Sequence, residues 1–373
     1  MVPSSSAARA ALRAGCTRFL SGHGRISART WTERLAASPH IGLALDEYSE
    51  GPGIALLEAT VANLLGKPAA LWFPKGIIAQ QAALLVHAGE TGSRVVALHP
   101  KSHLAFDEQD ALDRLAGLLP RRIGPDHRPF TLDELREVAE PLAAVTVELP
   151  LRRAAFQAPD WEALAGIAAW ARDRGTPFHI DGARIWEVAP WYGRSPAEIA
   201  ALADTVYVSF YKGLGGMGGC VLAGSEAFIQ ALKPWRNRYG GDLAIAFPFI
   251  VTALDGLAEH LPRMEGYHRH ACAIAAALAA ESLTAHPAVP HGNSFQVHFP
   301  TGAAALVRAA DAVAADAGIW LFGRIAEGVL PGICITEIAV GDATLGWSPE
   351  EVAAALRTLR DAARQVPADD GTA

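Results

Sequence analysis

Val208-Ser209-Phe210-Tyr211-Lys212-Gly213-Leu214-Gly215-Gly216 is the stretch from which the fold can be read. A β-rich run ends at Lys212, a glycine-rich turn follows, and a second β-rich run occupies residues 219–223. This puts the lysine at the mouth of a sheet, beside backbone that a ligand can approach closely. The chain has 373 residues and only five lysines (Lys67, Lys75, Lys101, Lys212 and Lys233), with arginine at its other cationic positions. A lysine retained in such a chain stands out because an amine, unlike a guanidinium, forms an imine with a carbonyl. Taken alone, Lys212 could also be an ordinary loop residue closing a glycine turn.

Thirty-one residues upstream lies His179-Ile180-Asp181-Gly182-Ala183-Arg184-Ile185-Trp186. Residues 178–180 read as a buried strand, so Asp181 falls at its carboxyl end, where open α/β sheets bind ligands. A carboxylate there can keep a pyridine nitrogen protonated and so make the ring an electron sink. Arg184 is close enough in sequence to reach the same ligand. Asp-Gly is also a common turn pair, and a capping role for Asp181 is the plain alternative. A third element, Leu71-Trp72-Phe73-Pro74-Lys75-Gly76-Ile77-Ile78, reads as strand, tight turn and helix start. Free N–H groups at such a helix start can cradle phosphate.

Outward from these motifs the pattern alternates. Strands are expected at 69–73, 95–98, 145–148, 178–180, 205–210 and 219–223. Helices are expected at 54–65, 77–88, 110–118, 131–139, 160–174 and 196–203. Such alternation gives right-handed crossovers around a mostly parallel sheet with helices on both faces. Thr131 with Glu134 has capping-box spacing, and Asp160 heads the next helix. Beyond about residue 225 long Ala/Leu-rich helices take over, followed by strands at 295–299 and 333–339 and helices at 303–317 and 349–363. The division expected is an N-terminal segment over 1–45, a large domain over 46–250, and a linking helix with a small α/β domain over 251–373. The polar tail after Pro367 is expected to fray.

The composition excludes several classes. With a net charge of −7, no basic field points to nucleic acid or an anionic membrane. Cys16, Cys220, Cys272 and Cys334 are scattered and share no metal spacing, which fits reduced thiols and a cytoplasmic setting. No apolar run reaches the ~20 residues that span a bilayer. The early arginines (Arg9, Arg13, Arg18, Arg25, Arg29) have the flavour of a transit peptide. Gly22-His23-Gly24 and Pro39 would break its amphipathic helix, so a segment packing on a partner subunit is the reading adopted.

The order of phosphate turn, post-strand aspartate and lysine before a glycine run resembles fold-type I pyridoxal 5′-phosphate enzymes. Within them, the Asp181–Arg184 and Ser209–Gly216 motifs resemble the threonine aldolase and β-eliminating lyase group, over most of the chain from about Leu45. The resemblance implies that Lys212 carries the cofactor, Asp181 pairs with its ring nitrogen and Arg184 with its ring hydroxyl. It further implies that His103 stacks on the ring, with Glu108 five residues beyond as a further catalytic candidate, that Gly76 and Ile77 give backbone N–H groups to the phosphate, and that Ser209 binds the cofactor. Arg236 or Arg238 is implied near that phosphate. Tyr48 resembles a residue that reaches the neighbouring subunit's site, which implies a homodimer or homotetramer. The implied reaction is retro-aldol cleavage of a β-hydroxy-α-amino acid. The alternatives are a β-eliminating or side-chain-exchange lyase and a non-catalytic ligand-binding protein.

There are departures from the group. Lys75 and Ile77 stand where threonine aldolases usually carry hydroxyl side chains, and Glu148-Leu149-Pro150-Leu151-Arg152-Arg153 replaces a histidine-containing stretch. The carboxylate-binding arginine expected near Gly332–Glu337 is not evident, which leaves Arg324 or Arg152 to take its place.

Overall fold

A computed structural model of the chain describes residues 6–365; the tail after Pro367 lies outside them. Contacts divide the chain into two units. One is Ser27–Met264, and the other joins the residues up to Ile26 with those from Glu265 onward. The boundaries differ from those drawn at 45/46 and 250/251. The second of those cuts falls inside the helix Phe247–His260, which buries Ile250, Val251, Leu254 and Leu257 and is one continuous element. The first misses a backbone ladder: Arg18–Phe19 pairs in parallel with Ile319–Trp320. Side-chain patterning carries no trace of so short a pairing.

The larger unit is built on a seven-stranded sheet. In spatial order the strands are Ala69–Phe73, Cys220–Gly224, Thr205–Ser209, Phe178–Asp181, Ala144–Glu148, Val95–Leu98 and Leu119–Arg122. Only Cys220–Gly224 runs against its neighbours; the remaining pairs are parallel. The Ala144–Glu148, Thr205–Ser209 and Cys220–Gly224 strands are buried along their whole length. Helices on both faces require such near-continuous apolar runs. One strand of this sheet escaped the sequence reading. Leu119–Arg122 is an edge strand with exposed arginines and Pro120, and it follows a helix of only Ala111–Arg114. Edge position tolerates both proline and charge, which erases the apolar signature.

Parallel strands bring their carboxyl ends to one edge. Glu148, Asp181 and Ser209 are the last residues of three adjacent strands there. The helix Gly76–Thr91 starts at the same edge after the Ala69–Phe73 strand and lays Ala79, Ala82, Ala83 and Val86 on Phe73, Tyr207 and Leu222. The capping signals hold: Thr131 and Glu134 exchange both bonds of the box, and Asp160 caps Ala163.

The other unit holds a four-stranded antiparallel sheet ordered Ile325–Glu327, Cys334–Ala339, Ser294–Phe299, Thr284–His286. Burial alternates along Cys334–Ala339, as for a sheet with one packed face. Its helices include Ala303–Ala317 and Pro349–Gln365. Among the described residues no helix is long and apolar enough to cross a membrane.

Candidate active site

A cavity opens at the carboxyl edge of the sheet in the larger unit. Its lining includes Gly76, Ile77, Gln80, His103, Glu108, Glu148, Arg152, Asp181, Arg184, Tyr207 and Lys212. The sequence motifs, up to 136 residues apart (Gly76 to Lys212), meet here because each ends a strand or begins the helix after one.

Asp181 forms the floor. It is buried, and both its oxygens accept hydrogen bonds: Oδ2 from Gln80 Nε2 at 2.6 Å, and Oδ1 from the Ala183 backbone N–H at 3.2 Å. Glu148 stands in register beside Asp181 on the adjacent strand. Burial, with the Asp181 charge second, pushes the Glu148 carboxyl up to about 7. Its oxygens accept the backbone N–H of His103 at 2.7 Å and of Arg152 at 3.1 Å. Glu148 thus pins two loops of the cavity wall.

Lys212 enters just beyond the Thr205–Ser209 strand, its Nζ 4.8 Å from the Tyr211 ring centroid. Burial brings its amine down to about 8, and the nearby Arg184 and Arg152 charges act the same way. An amine in that range has a substantial nucleophilic fraction at mild pH. The turn that follows is fixed by Glu187, which accepts the Gly213 N–H at 2.9 Å and stands where any Gly213 side chain would go.

His103 lines the cavity with a partly exposed ring. Its Nδ1 meets Glu108 Oε1 at 3.0 Å, and the Glu108 side chain is fully buried. This bond, more than the other carboxylates, holds the His103 imidazolium above its ordinary range. Gln81 Nε2 donates to the second Glu108 oxygen at 3.1 Å. Glu108 thus holds the His103 ring from the buried side of the cavity. The neighbouring arginines separate: Arg152 lines the cavity, whereas Arg153 forks onto Asp107, with Nε 2.7 Å from Oδ2, and lies over Phe106.

The start of the Gly76–Thr91 helix and the end of the Thr205–Ser209 strand shape a second part of the cavity. A Cβ on Gly76 would lie 2.2 Å from the Tyr207 hydroxyl, so only glycine lets the two approach. Ser209 Oγ is buried beside Tyr211 and, among the described residues, has no partner of sound hydrogen-bond geometry. The helix N-terminus at Gly76 and Ile77, both in the cavity lining, suits an anion such as phosphate. Lys75 also lines the cavity, its Nζ 5.9 Å from the Tyr211 ring centroid.

Other expected residues lie elsewhere. Arg238 is exposed and lies over Trp235, outside this cavity's lining. Arg236, its alternative, is buried on the Trp72 carbonyl and Asp242. Tyr48 is 70% exposed at φ 48°, on a loop whose backbone bonds to Leu243 and Ala244. Arg324 belongs to the other unit, just before the Ile325–Glu327 strand, where its carbonyl accepts the Thr336 hydroxyl.

The sequence reading passed over Gln80, Gln81 and Glu148. A signal was available: two adjacent amides interrupt the buried apolar face of the Gly76–Thr91 helix. Glu148 ends an otherwise uncharged, buried strand as Asp181 does.

The mostly parallel central sheet with helices on its faces is that of the fold-type I pyridoxal-phosphate class. The family model of beta-eliminating lyases matches residues 36–300, and the chain belongs to that family. It is similar, at 37% identity and a TM-score of 0.87, to a structure from Exiguobacterium provisionally described as an aromatic amino acid beta-eliminating lyase/threonine aldolase, covering 94% of this chain and 99% of that one. It is similar, at 34% and 0.86, to one from Listeria monocytogenes provisionally described as an L-allo-threonine aldolase, covering 95% and 98%. The low-specificity L-threonine aldolase 1 of Arabidopsis thaliana is 28% identical over 244 residues, 62% of this chain and 68% of that one. The resemblance carried by the motifs holds for family, fold and enzyme class: the protein is a lyase of this group.

Proposed function

We propose that the protein is a pyridoxal-phosphate-dependent aldolase that cleaves β-hydroxy-α-amino acids, such as threonine, to glycine and an aldehyde. The observation that carries this reading is the pairing, in one cavity, of a desolvated lysine amine with a buried, doubly hydrogen-bonded aspartate. Relatives named as threonine aldolases support the reaction class.

The residues fit the cofactor. Lys212 would offer the amine, Asp181 a ring-nitrogen partner, Gly76 and Ile77 backbone N–H groups for the phosphate, and Arg184 a partner for the ring hydroxyl, with Ser209 as a further cofactor contact. When bound, pyridoxal phosphate supplies an electron sink for the pair released when the Cα–Cβ bond breaks. The chain's own residues prepare that event. Arg152 offers a cation for the substrate carboxylate, a role that Arg324 holds as the second candidate. His103, held through Nδ1 by Glu108, keeps Nε2 for a proton moved at the substrate hydroxyl, directly or through one water. Glu148 keeps His103 and Arg152 in place through their backbone N–H groups. Subunit pairing would bring Tyr48 and Arg238 to a neighbouring cavity, in a homodimer or homotetramer.

The test is aldehyde release from threonine, allo-threonine and phenylserine by wild type and Lys212→Ala. No aldehyde from any of them would overturn the reading; a keto acid in its place would indicate β-elimination.

A further inference from the structure

Behind the cavity a line of buried polar groups crosses the larger unit from Asp181 to solvent. Gln80 and His87 lie seven residues, two turns, apart on one face of the Gly76–Thr91 helix. His179 and Asp181, two residues apart, share a face of their strand. Thr205 stands in register with His179 on the next strand. The contacts are continuous. Gln80 Nε2 reaches Asp181 Oδ2 at 2.6 Å, and Gln80 Oε1 meets His179 Nε2 at 3.0 Å. His179 Nδ1 meets Thr205 Oγ1 at 2.9 Å, and Thr205 Oγ1 meets His87 Nε2 at 2.9 Å. His87 Nδ1 meets Glu90 Oε2 at 3.3 Å, where the Glu90 side chain is 55% exposed.

Valence fixes the protons. An ionised Asp181 accepts only, so the Gln80 amide nitrogen donates to it and Gln80 Oε1 must itself receive a proton. His179 Nε2 therefore carries hydrogen. Burial holds His179 neutral, far below the ordinary imidazole range at about 3, so Nδ1 is bare and takes the Thr205 hydroxyl proton. Thr205 Oγ1 then accepts from His87 Nε2–H. Every hydrogen points toward Asp181. The opposite arrangement is also complete: all donors reversed, the Gln80 amide flipped, a proton on Asp181, and His87 neutral with Nδ1–H on Glu90. The two patterns differ by one proton, which sits on His87 in the first and on Asp181 in the second.

We propose that His87, Thr205, His179 and Gln80 form a relay through which the protonation of His87, buried beneath the exposed Glu90, holds Asp181 ionised. These four are positioning residues; none touches the reacting atoms except through Asp181. The charged and titratable groups around His87 are Glu90 on its own helix, His179 across the sheet, and Arg172 and Asp204 on the rim of the same surface depression, with the Phe228 ring stacked on it at 5.0 Å. Glu90 is held below the usual carboxylate range by its bond to His87.

The inference rests on the proposed role of Asp181, and the two fail separately. A chain that takes up no pyridoxal phosphate refutes that role, while the relay can still be read in the unloaded chain. The experiment uses the full chain labelled with ¹⁵N-histidine, with and without added pyridoxal phosphate. Expected in wild type is a His179 with Nε2 protonated and Nδ1 bare. Thr205→Val cuts the line; it should release that tautomer and, in the loaded protein, shift the titration midpoint of the visible band by about half a pH unit or more. Thr205→Ser should restore both. Should Thr205→Val fail to fold, Glu90→Gln decides, since it alters only the exposed end and should shift the same midpoint. A His179 tautomer opposite to that stated, or variants that leave tautomer and midpoint as in wild type, would overturn the proposal.

Discussion

Glu148 and Asp181 stand side by side in register on adjacent parallel strands, two buried carboxyl groups at one edge of the sheet. Side-chain and backbone donors surround Asp181, while burial and the neighbouring charge leave Glu148 at about 7. The native state therefore keeps a proton that the unfolded chain, near 4.5, has already released. That stabilisation is complete below 4.5 and is lost as pH rises through about 7. His103, also raised, acts with the same sign. Buried His179, lowered to about 3, acts with the opposite sign, so the Glu148 share is read by difference. Relative to Glu148→Gln, the melting temperature of the cofactor-free wild type should fall between about pH 5 and 7.5, and Asp181→Asn should flatten that relative fall by letting Glu148 ionise earlier. An unchanged slope in Asp181→Asn would contradict the coupling.

Lys212 moves the other way. Its amine, brought to about 8, is neutral in the folded protein over a range where an exposed lysine is charged. Borohydride-trapped uptake of pyridoxal phosphate should therefore rise with pH through about 8 and level off above it. Lys212→Arg keeps the charge without the amine; like Lys212→Ala, it should trap nothing and lose at least about a thousandfold in turnover. Trapping by either variant would move the anchor to another lysine.

Gly76 is required for space. In Gly76→Ala the new Cβ would meet the Tyr207 hydroxyl at 2.2 Å and its Cζ at 2.9 Å. Because the ring is packed in the core, the helix start must shift. Affinity for pyridoxal phosphate, read by fluorescence titration, should drop about tenfold or more. Gly76→Ala/Tyr207→Phe, which removes the nearest atom, should recover part of that loss. Equal affinities for both variants would mean the two residues do not compete for one space.

Glu108→Gln keeps a similar shape and removes the charge behind His103. The His103 imidazolium should then titrate lower, and the acid limb of the aldehyde-release profile should move to lower pH. A profile identical to wild type would leave Glu108 as packing only.

Thr131→Ala serves as a control remote from the cavity. It removes the two bonds the hydroxyl makes with Glu134, one of them half of the capping box, and should cost about 1 kcal/mol in denaturant melts while leaving turnover unchanged.

The chain's residues alone determined where most strands of the larger sheet and the helices between them lie, and which strand ends carry the charged and glycine-rich motifs. Asp181 and Lys212 were legible because a charged residue directly following a buried apolar run must sit at a sheet edge. Gly76 was legible because a glycine after a strand marks a helix start. Tertiary structure decided what has no local signature. Leu119–Arg122 is a strand only because Val95–Leu98 offers it a ladder. Arg18–Phe19 belongs with Ile319–Trp320 through backbone pairing alone. Gln80 and Gln81 look like misplaced polar residues on a buried helix until the sheet brings Asp181 and Glu108 to their amides. A hydrogen bond between residues 101 apart depends on the angle at which a helix crosses a strand, and side-chain packing over the whole sheet sets that angle.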